Sequence, residues 1–308
     1  MTAVDLTSAR ENMVEQQLRT WEVLNEHILE TLDKLGRERF TPKAFRNMAY
    51  ADMQIPIGHG QVMLEPKVEG RLLQALDPRP DDRVLEIGTG WGGFAIHAAK
   101  TRGCHVTTTT ISEAQYAHTA RRIQEEGLEQ QITLLKEDYR ALSGTYDRVI
   151  SVEMIEAVGH HYLDTYLAKI ERLLAADGQA MLQAITIRDQ RFEAAKREMD
   201  FIKRYIFPGG FLPSHHAILK SLTRKTSLNM VALDEIGQHY ARTLREWRHR
   251  FEASLEAVRA QGYDERFIRM WRYYLCYCEG GFIERSIGTC HLVLAKPQAK
   301  PAPLTGAP

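Results

Sequence analysis

Leu85-Glu86-Ile87-Gly88-Thr89-Gly90-Trp91-Gly92-Gly93 is the stretch on which the fold reading turns. The short apolar run Arg83 to Ile87 leads into glycines at alternate positions, Gly88, Gly90 and Gly92, and a helical pattern over Phe94 to Thr101 follows. Glycine in such a turn lets the backbone bend tightly and approach a ligand closely. The pattern alone is weak, because dinucleotide oxidoreductases use a related turn with phosphates at the helix N-terminus. Its surroundings narrow it. Glu86 stands two residues before the first glycine, in reach of a cationic ligand. Thr110 ends the next strand candidate with Gln115 after it, and Asp138-Tyr139 follow the third. These positions suit the ribose or methionine and the adenine of S-adenosylmethionine, which carries an ammonium and a sulfonium but no phosphate. The competing reading is a turn that only packs helix on sheet, and its place in a strand-helix alternation argues against that.

That alternation runs outward from the turn. His105 to Ile111, Ile132 to Leu135, Arg148 to Val152 and Gln179 to Ile187 read as further strands, rich in Val, Ile and Thr. Phe94 to Thr101, Glu113 to Glu126 and Tyr162 to Leu174 read as helices between them, and Asp177-Gly178 as a turn. Strand alternating with helix predicts a parallel sheet covered on both faces. Beyond Ile187 the alternation stops: 188–225 and 241–285 look helical, and Gly288 to Lys296 returns as a last strand. A late helical insertion of this kind is expected to form a lid or substrate pocket. Upstream, Asn12 to Leu35 carries Met13, Val14, Leu18, Trp21, Val23, Leu24, Ile28, Leu29 and Leu32 on one face of a helix pair. Thr41-Pro42 reads as a capped helix start, Ile55 to Gly60 as a loop, and Pro66 to Leu76 as a helix.

Bulk properties exclude several classes. The 308 residues allow one large domain or two modest ones, and the 44% hydrophobic content supports a real core. Forty Lys plus Arg balance forty Asp plus Glu, so nothing favours a nucleic-acid binder. Four cysteines, Cys104, Cys276, Cys278 and Cys290, are too few for a disulfide scaffold, and the Cys276/Cys278 pair lacks the second pair a zinc site needs. Reduced thiols in a cytoplasmic protein are expected. No signal peptide or membrane-spanning run is read, and Lys296 to Pro308 reads as a frayed tail. His160-His161 and His215-His216 are not expected to bind metal, since adjacent side chains point apart on a regular element. His59, between Gly58 and Gly60, is more plausibly a loop-stabilising group than a base. Residues 188–225 hold nine Lys/Arg against four Asp/Glu, interspersed with Phe192, Phe201, Ile202, Tyr205, Ile206, Phe207, Phe211 and Leu212. Such a stretch could touch an anionic bilayer and admit an acyl chain, or be a lid with a solvated basic face.

Several segments in order carry a resemblance: Glu86 to Gly93, Thr110-Ile111-Ser112-Glu113-Ala114-Gln115, Glu137-Asp138-Tyr139-Arg140, and Ser151-Val152-Glu153-Met154-Ile155-Glu156-Ala157-Val158-Gly159. Tyr205-Ile206-Phe207-Pro208-Gly209-Gly210, Leu212-Pro213-Ser214 and Tyr273 to Phe282 continue it. From about Arg83 to Pro297 the chain resembles the cyclopropane-fatty-acyl-phospholipid synthase family of S-adenosylmethionine-dependent methyltransferases. Ala9 to Leu18 and Ile55 to Gln61 are instead similar to bacterial protein-L-isoaspartate O-methyltransferases, so the chain reads as two methyltransferase lineages joined at a glycine turn that both share.

The expected fold is α/β: a class I Rossmann-like core with a mostly parallel seven-stranded sheet, a helical N-terminal extension and a helical lid after the fifth strand. The expected segments are 1–80 helical, 81–187 the cofactor-binding core, 188–286 the lid with one further strand, 287–297 the final strand and 298–308 a disordered tail. The resemblance implies transfer of a methyl or methylene group to a cis double bond of an unsaturated phospholipid acyl chain. It implies cofactor contacts at Glu86, Gly88, Gly90, Gly92, Thr110, Gln115, Asp138 and Tyr139. It also implies a bound bicarbonate as base, held by Glu156, Tyr240, the position of Gln183 and the backbone of Ile185, with Cys278 at a position often marked as active-site. Two departures leave bicarbonate an open option. Gln183 stands where the family has histidine and cannot carry charge, and the family's Tyr-Ser-Cys-type segment before the glycine turn has no counterpart. For each residue a structural role competes: Glu156 as a helix cap, Tyr240 as a buried aromatic, Cys278 as packing. Competing functions are a small-molecule N- or C-methyltransferase, an isoaspartyl methyltransferase, and an inactive module that binds the cofactor. The expected location is cytoplasmic, with peripheral contact at the inner membrane face.

Overall fold

The computed structural model describes residues 5–34, 36–53, 55–58, 61–63, 66, 67, 70, 74 and 81–299. His59 and the chain from 300 onward lie outside the described residues. Two compact units appear, one within Met1–Asp77 and one within Pro78–Pro301.

The first unit is helical with one hairpin. Helix α1 (Leu6–Asn12) passes into a π-helical turn over Met13–Leu18 and a 3-10 turn over Arg19–Trp21, which Glu22 closes at φ 60. Helix α2 (Glu26–Lys34) starts where the Gln74 carboxamide accepts from Leu24 N and Asn25 N. Met13, Val14, Leu18, Val23, Ile28, Leu29 and Leu32 are buried together with Ala49 and Tyr50. Trp21 and Leu24, expected on the same face, are exposed, because the helix breaks between them and rotates the next turn. Two further expectations are corrected. Thr41 does not cap a helix: its hydroxyl donates to Glu38 O, and the turn Lys43–Met48 has no side-chain cap. Ile55 to Gly60, expected as a loop, contributes strand β1 (Ile55–Gly58), which pairs antiparallel with β2 (Gln61–Met63). Of the expected helix Pro66 to Leu76, residues 66, 67, 70 and 74 are helical and the others lie outside the described residues.

The second unit is a seven-stranded sheet. Its strands are β3 (Arg83–Ile87), β4 (His105–Thr109), β5 (Ile132–Leu135), β6 (Tyr146–Val152), β7 (Leu174–Ile187), β8 (Asn229–Glu235) and β9 (Ile287–Ala295), in the order β5-β4-β3-β6-β7-β9-β8. The first five run parallel; β9 is antiparallel to β7, and β8 to β9. The sheet is thus mostly parallel with a reversed edge. The expected Asp177-Gly178 turn appears as a register shift inside β7, between the pairings Tyr146↔Leu174 and Arg148↔Gln179.

Strand periodicity sorts side chains between two cores. Val84 joins Val106, Ile132 and the helices α3 (Gly93–Arg102) and α4 (Glu113–Glu125) on one face. Leu85 and Ile87 join Val149, Leu182, Leu292 and the helices α5 (Leu163–Leu173) and α7 (His215–Lys225) on the other. Each such fully buried aliphatic contributes about 1.5–3 kcal/mol, so both faces must be covered. Helix α6 (Asp189–Arg197) follows β7. Helices α8 (Gly237–Ala253), α9 (Leu255–Ala260) and α10 (Glu265–Ile283) follow β8. Helices α8 and α10 are joined by Glu279, which accepts from Arg245 and Arg248.

Candidate active site

In a sheet of this order the strand sequence reverses about β3, which lies between β4 and β6. Ligands of open α/β sheets usually lie at such a point, beyond the carboxyl ends of the strands, and the glycine turn follows β3 there. Gly88 has φ 102, a conformation side chains resist, and its N–H and that of Thr89 donate to Thr109 O on β4. Gly92 has φ 80, and a Cβ there would stand 2.8 Å from Thr119 Cγ2, so only glycine lets α3 start this close to α4.

Glu86 fastens this turn from below. Thr108 Oγ1 donates to Glu86 Oε2 at 2.6 Å, and the Thr89 and Thr108 hydroxyls are hydrogen-bonded to each other. Burial pushes the Glu86 carboxyl up to about 8, although the Thr108 bond favours its ionised form. At the end of β4 the Thr110 hydroxyl donates to Gln115 Oε1 at 2.8 Å and accepts from Ser112 N, while Ser112 caps α4. This pair stands ready at the rim as two polar groups in fixed mutual orientation. Among the described residues a Cβ built at Gly90 meets nothing within 4 Å. A glycine cradle with a carboxyl beneath and the Thr110–Gln115 pair at its edge fits S-adenosylmethionine. Asp138 is bonded to Arg140, which holds its carboxyl below the ordinary value. The Tyr139 ring is buried in the core edge-on to Tyr166, so that side chain is committed to packing.

A second cluster forms beyond β6 and β7. Glu153 follows β6 at φ 51, with its N–H on Gln183 O. Glu156 lies in the 3-10 turn Ile155–Ala157, and its backbone carbonyl accepts from Phe211 N. The Pro208-Gly209-Gly210 segment therefore packs over Glu156. The N–H of Ile185 donates to Glu156 Oε1, while Glu156 Oε2 is buried and has no hydrogen-bond partner among the described residues. Tyr240 donates to Glu153 Oε2 at 2.8 Å, and Gln183 Nε2 donates to Glu153 Oε1 at 2.7 Å. His291 Nε2 lies 3.0 Å from Gln183 Oε1, which makes it the donor in this arrangement. The Tyr240 ring stacks on Phe282 at 4.7 Å, and Ile185, Tyr274 and Cys278 pack, as Tyr240 does, against the cluster of Ala241, Leu244, Leu275 and Phe282. The cluster thus joins two carboxyls to an aromatic wall.

Burial raises both carboxyls above the ordinary range. Glu156 reaches about 8, opposed by the Ile185 N–H and reinforced by the neighbouring Glu153 charge. Glu153 is raised by burial and drawn back by Tyr240 and Gln183, two donors that favour its ionised form. Burial pushes the Cys278 thiol up to about 12, the opposite of what an activated thiolate needs.

The structure therefore brings Glu156, Ile185, Gln183 and Tyr240 together, but through Glu153, which sequence reasoning passed over. The signal was available: a second carboxylate three residues before Glu156 in Ser151-Val152-Glu153-Met154-Ile155-Glu156. His291 was also missed, a lone imidazole in the apolar strand Cys290-His291-Leu292-Val293-Leu294. The adjacent histidines His160 and His161 do not point apart, because they lie in a 3-10 turn; their ring centroids are 3.8 Å apart. His215, Glu235 and Cys290 place ligand-type atoms within 4.8 Å of one another, but His215 Nε2 is 3.0 Å from Glu235 Oε1, and that carboxylate raises the imidazole pKa and favours its protonated form.

The sheet order, glycine turn and rim pair define the fold of an S-adenosylmethionine-dependent methyltransferase. The family model described as mycolic acid cyclopropane synthetase matches residues 65–292, and the chain belongs to that family. It is 42% identical over 212 residues to the tuberculostearic acid methyltransferase UfaA1 of Mycobacterium tuberculosis, covering 69% of this chain and 49% of that protein. It is 36% identical over 225 residues to the cyclopropane-fatty-acyl-phospholipid synthase of Escherichia coli strain K12, covering 73% and 56%. The chain thus spans about half the length of these relatives. A shorter match, 46% identical over 84 residues, links it to the protein-L-isoaspartate O-methyltransferase of Aeropyrum pernix, covering 27% of this chain and 32% of that one. Among solved structures, mycolic acid cyclopropane synthase CmaA1 complexed with SAH and CTAB superposes with a TM-score of 0.68 at 24% identity, over 75% of this chain and 84% of that one, and supports the fold.

Proposed function

We propose that the chain methylates a cis double bond in an unsaturated phospholipid acyl chain and closes it to a cyclopropane. The observation that carries this reading is the half-buried Glu153–Glu156 carboxyl pair beside the aromatic wall of Tyr240 and Phe282. When bound, S-adenosylmethionine supplies an electrophilic methyl carbon to the alkene's π pair, the carbon–sulfur pair remaining on sulfur as a neutral thioether. An alkene needs no base to attack, only alignment and exclusion of water. The cationic carbon that results is stabilised by nearby carboxylate charge and aromatic faces, and a base must then remove one proton. Carboxylate methylation asks for no base, because the carboxylate is already the nucleophile.

The reading includes a cytoplasmic protein that touches the inner membrane face. It is supported by an exposed aromatic patch in which Phe201 contacts Tyr205 and Tyr273, with Tyr277 beside Tyr273 and the Arg204 guanidinium over the Tyr205 ring. Aromatic rings beside cations suit the interface of an anionic bilayer.

The 42% identity to a tuberculostearic acid methyltransferase favours a second reading, a branched product instead of a ring. Fatty-acid mass spectrometry of cells expressing the chain tests both. Ring formation adds one methylene, about 14 Da, with loss of the ozone-cleavable double bond; a methylene branch adds the same mass but stays cleavable. Unaltered lipids would remove the proposal.

A further inference from the structure

Glu153 occupies a backbone position that suits glycine. Its φ of 51 lies in the left-handed region, which costs a long side chain conformational energy and persists when the surroundings hold it. What holds it is a set of bonds to the carboxylate. Tyr240 donates to one oxygen and Gln183 to the other, and the His291 ring fixes the Gln183 amide from behind. Ile185 N–H is taken by Glu156. The donors that the resemblance assigns to bicarbonate are thus engaged by the chain's own carboxyls. A bicarbonate would have to strip those donors from Glu153 and Glu156 and sit as a further anion beside them. These residues do not fit it.

We infer that the Glu153 carboxylate is itself the base that takes the proton released after methyl transfer, in the place of bicarbonate. The inference rests on the alkene-methylating reading above. Once one alkene carbon has gained the methyl group, the other carries positive charge. A proton leaves the new methyl group for a Glu153 oxygen, and the C–H electron pair closes the three-membered ring. Tyr240 and Gln183 hold the carboxylate in place, and solvent takes the proton afterwards. Glu156, with one donor and an unpartnered oxygen, is the less suited of the two to carry the charge.

The test compares wild type, Glu153→Gln and Glu153→Gly on vesicles of dioleoyl phosphatidylglycerol with S-adenosylmethionine, in buffer stripped of carbon dioxide and with bicarbonate restored. Wild-type turnover is expected to be the same in both. Both variants are expected to lose about 100-fold or more. Glycine suits this backbone and leaves space for an anion, so Glu153→Gly is expected to fold and to recover about tenfold with bicarbonate; Glu153→Gln is not. Line broadening of [13C]bicarbonate, read by NMR without turnover, is expected with Glu153→Gly and absent with wild type. Bicarbonate-dependent wild-type turnover, binding to wild type as tight as to Glu153→Gly, or full activity of Glu153→Gln would each overturn the inference while leaving the methylation reading intact. Absence of any methylated lipid from wild type would overturn both.

Discussion

The Tyr240 hydroxyl donates to Glu153 Oε2 at 2.8 Å across 87 residues of chain, tying α8 to the turn after β6. One bond thus couples the helical region beyond β7 to the sheet end where the carboxyls lie.

Removing that donor should slow the reaction and spare the fold. Tyr240→Phe keeps the ring stacked on Phe282 but deprives a carboxylate of a hydrogen bond. Such bonds to charged groups are worth about 1.5–3 kcal/mol, which corresponds to about ten- to a hundred-fold in kcat. Steady-state kinetics with a circular dichroism melt checks it; an unchanged kcat contradicts the arrangement.

Native stability should fall as pH rises from 5 to 8. Burial holds the Glu86 and Glu156 carboxyls near 8, against an ordinary 4.5. Between these values the folded state keeps protons that the unfolded chain has lost. Each group therefore lowers stability by up to about 1.4 kcal/mol per pH unit, levelling off above its folded pKa. Urea denaturation at several pH values should show a shallower slope for Glu86→Gln than for wild type. Equal slopes would mean that Glu86 is ionised in the native state.

Gly92→Ala should damage the cofactor cradle. The added methyl meets Thr119 at 2.8 Å in a left-handed conformation, a combined cost of about 1–3 kcal/mol. Calorimetry with S-adenosylmethionine should show weaker uptake, and the melting temperature should drop. Wild-type affinity and stability together would mean that α3 can shift without consequence.

Vesicle co-sedimentation should report salt-sensitive binding to anionic lipid that falls in an Arg204→Glu/Tyr205→Ser double variant. Arg204 and Tyr205 belong to the exposed patch and not to the carboxyl cluster. Binding indifferent to salt, or unchanged in the variant, would remove this face as the membrane contact.

Much of the fold was legible because its signals are local. β3 alternates between two cores, and Gly88 and Gly92 demand backbone that only a tight turn supplies, so strand, turn and helix could be read in order. Trp21 and Leu24 were misread for the opposite reason. Their spacing fits a continuous helix, and the break at Glu22 depends on Gln74, fifty residues from Leu24, which accepts the freed N–H groups. Motif singled out Glu86, Thr110, Gln115, Glu156, Gln183, Ile185 and Tyr240 as expectations, but motif says nothing of who bonds to whom.

The alternation of strand and helix, the glycine turn and the family resemblance are written in neighbouring residues, through steric limits and side-chain periodicity. That Glu153 takes the donors of Tyr240 and Gln183, with His291 behind them, follows from long-range packing alone. Those groups come from the turn after β6 and from β7, β9 and α8, and a hydrogen bond depends on where distant segments meet in space.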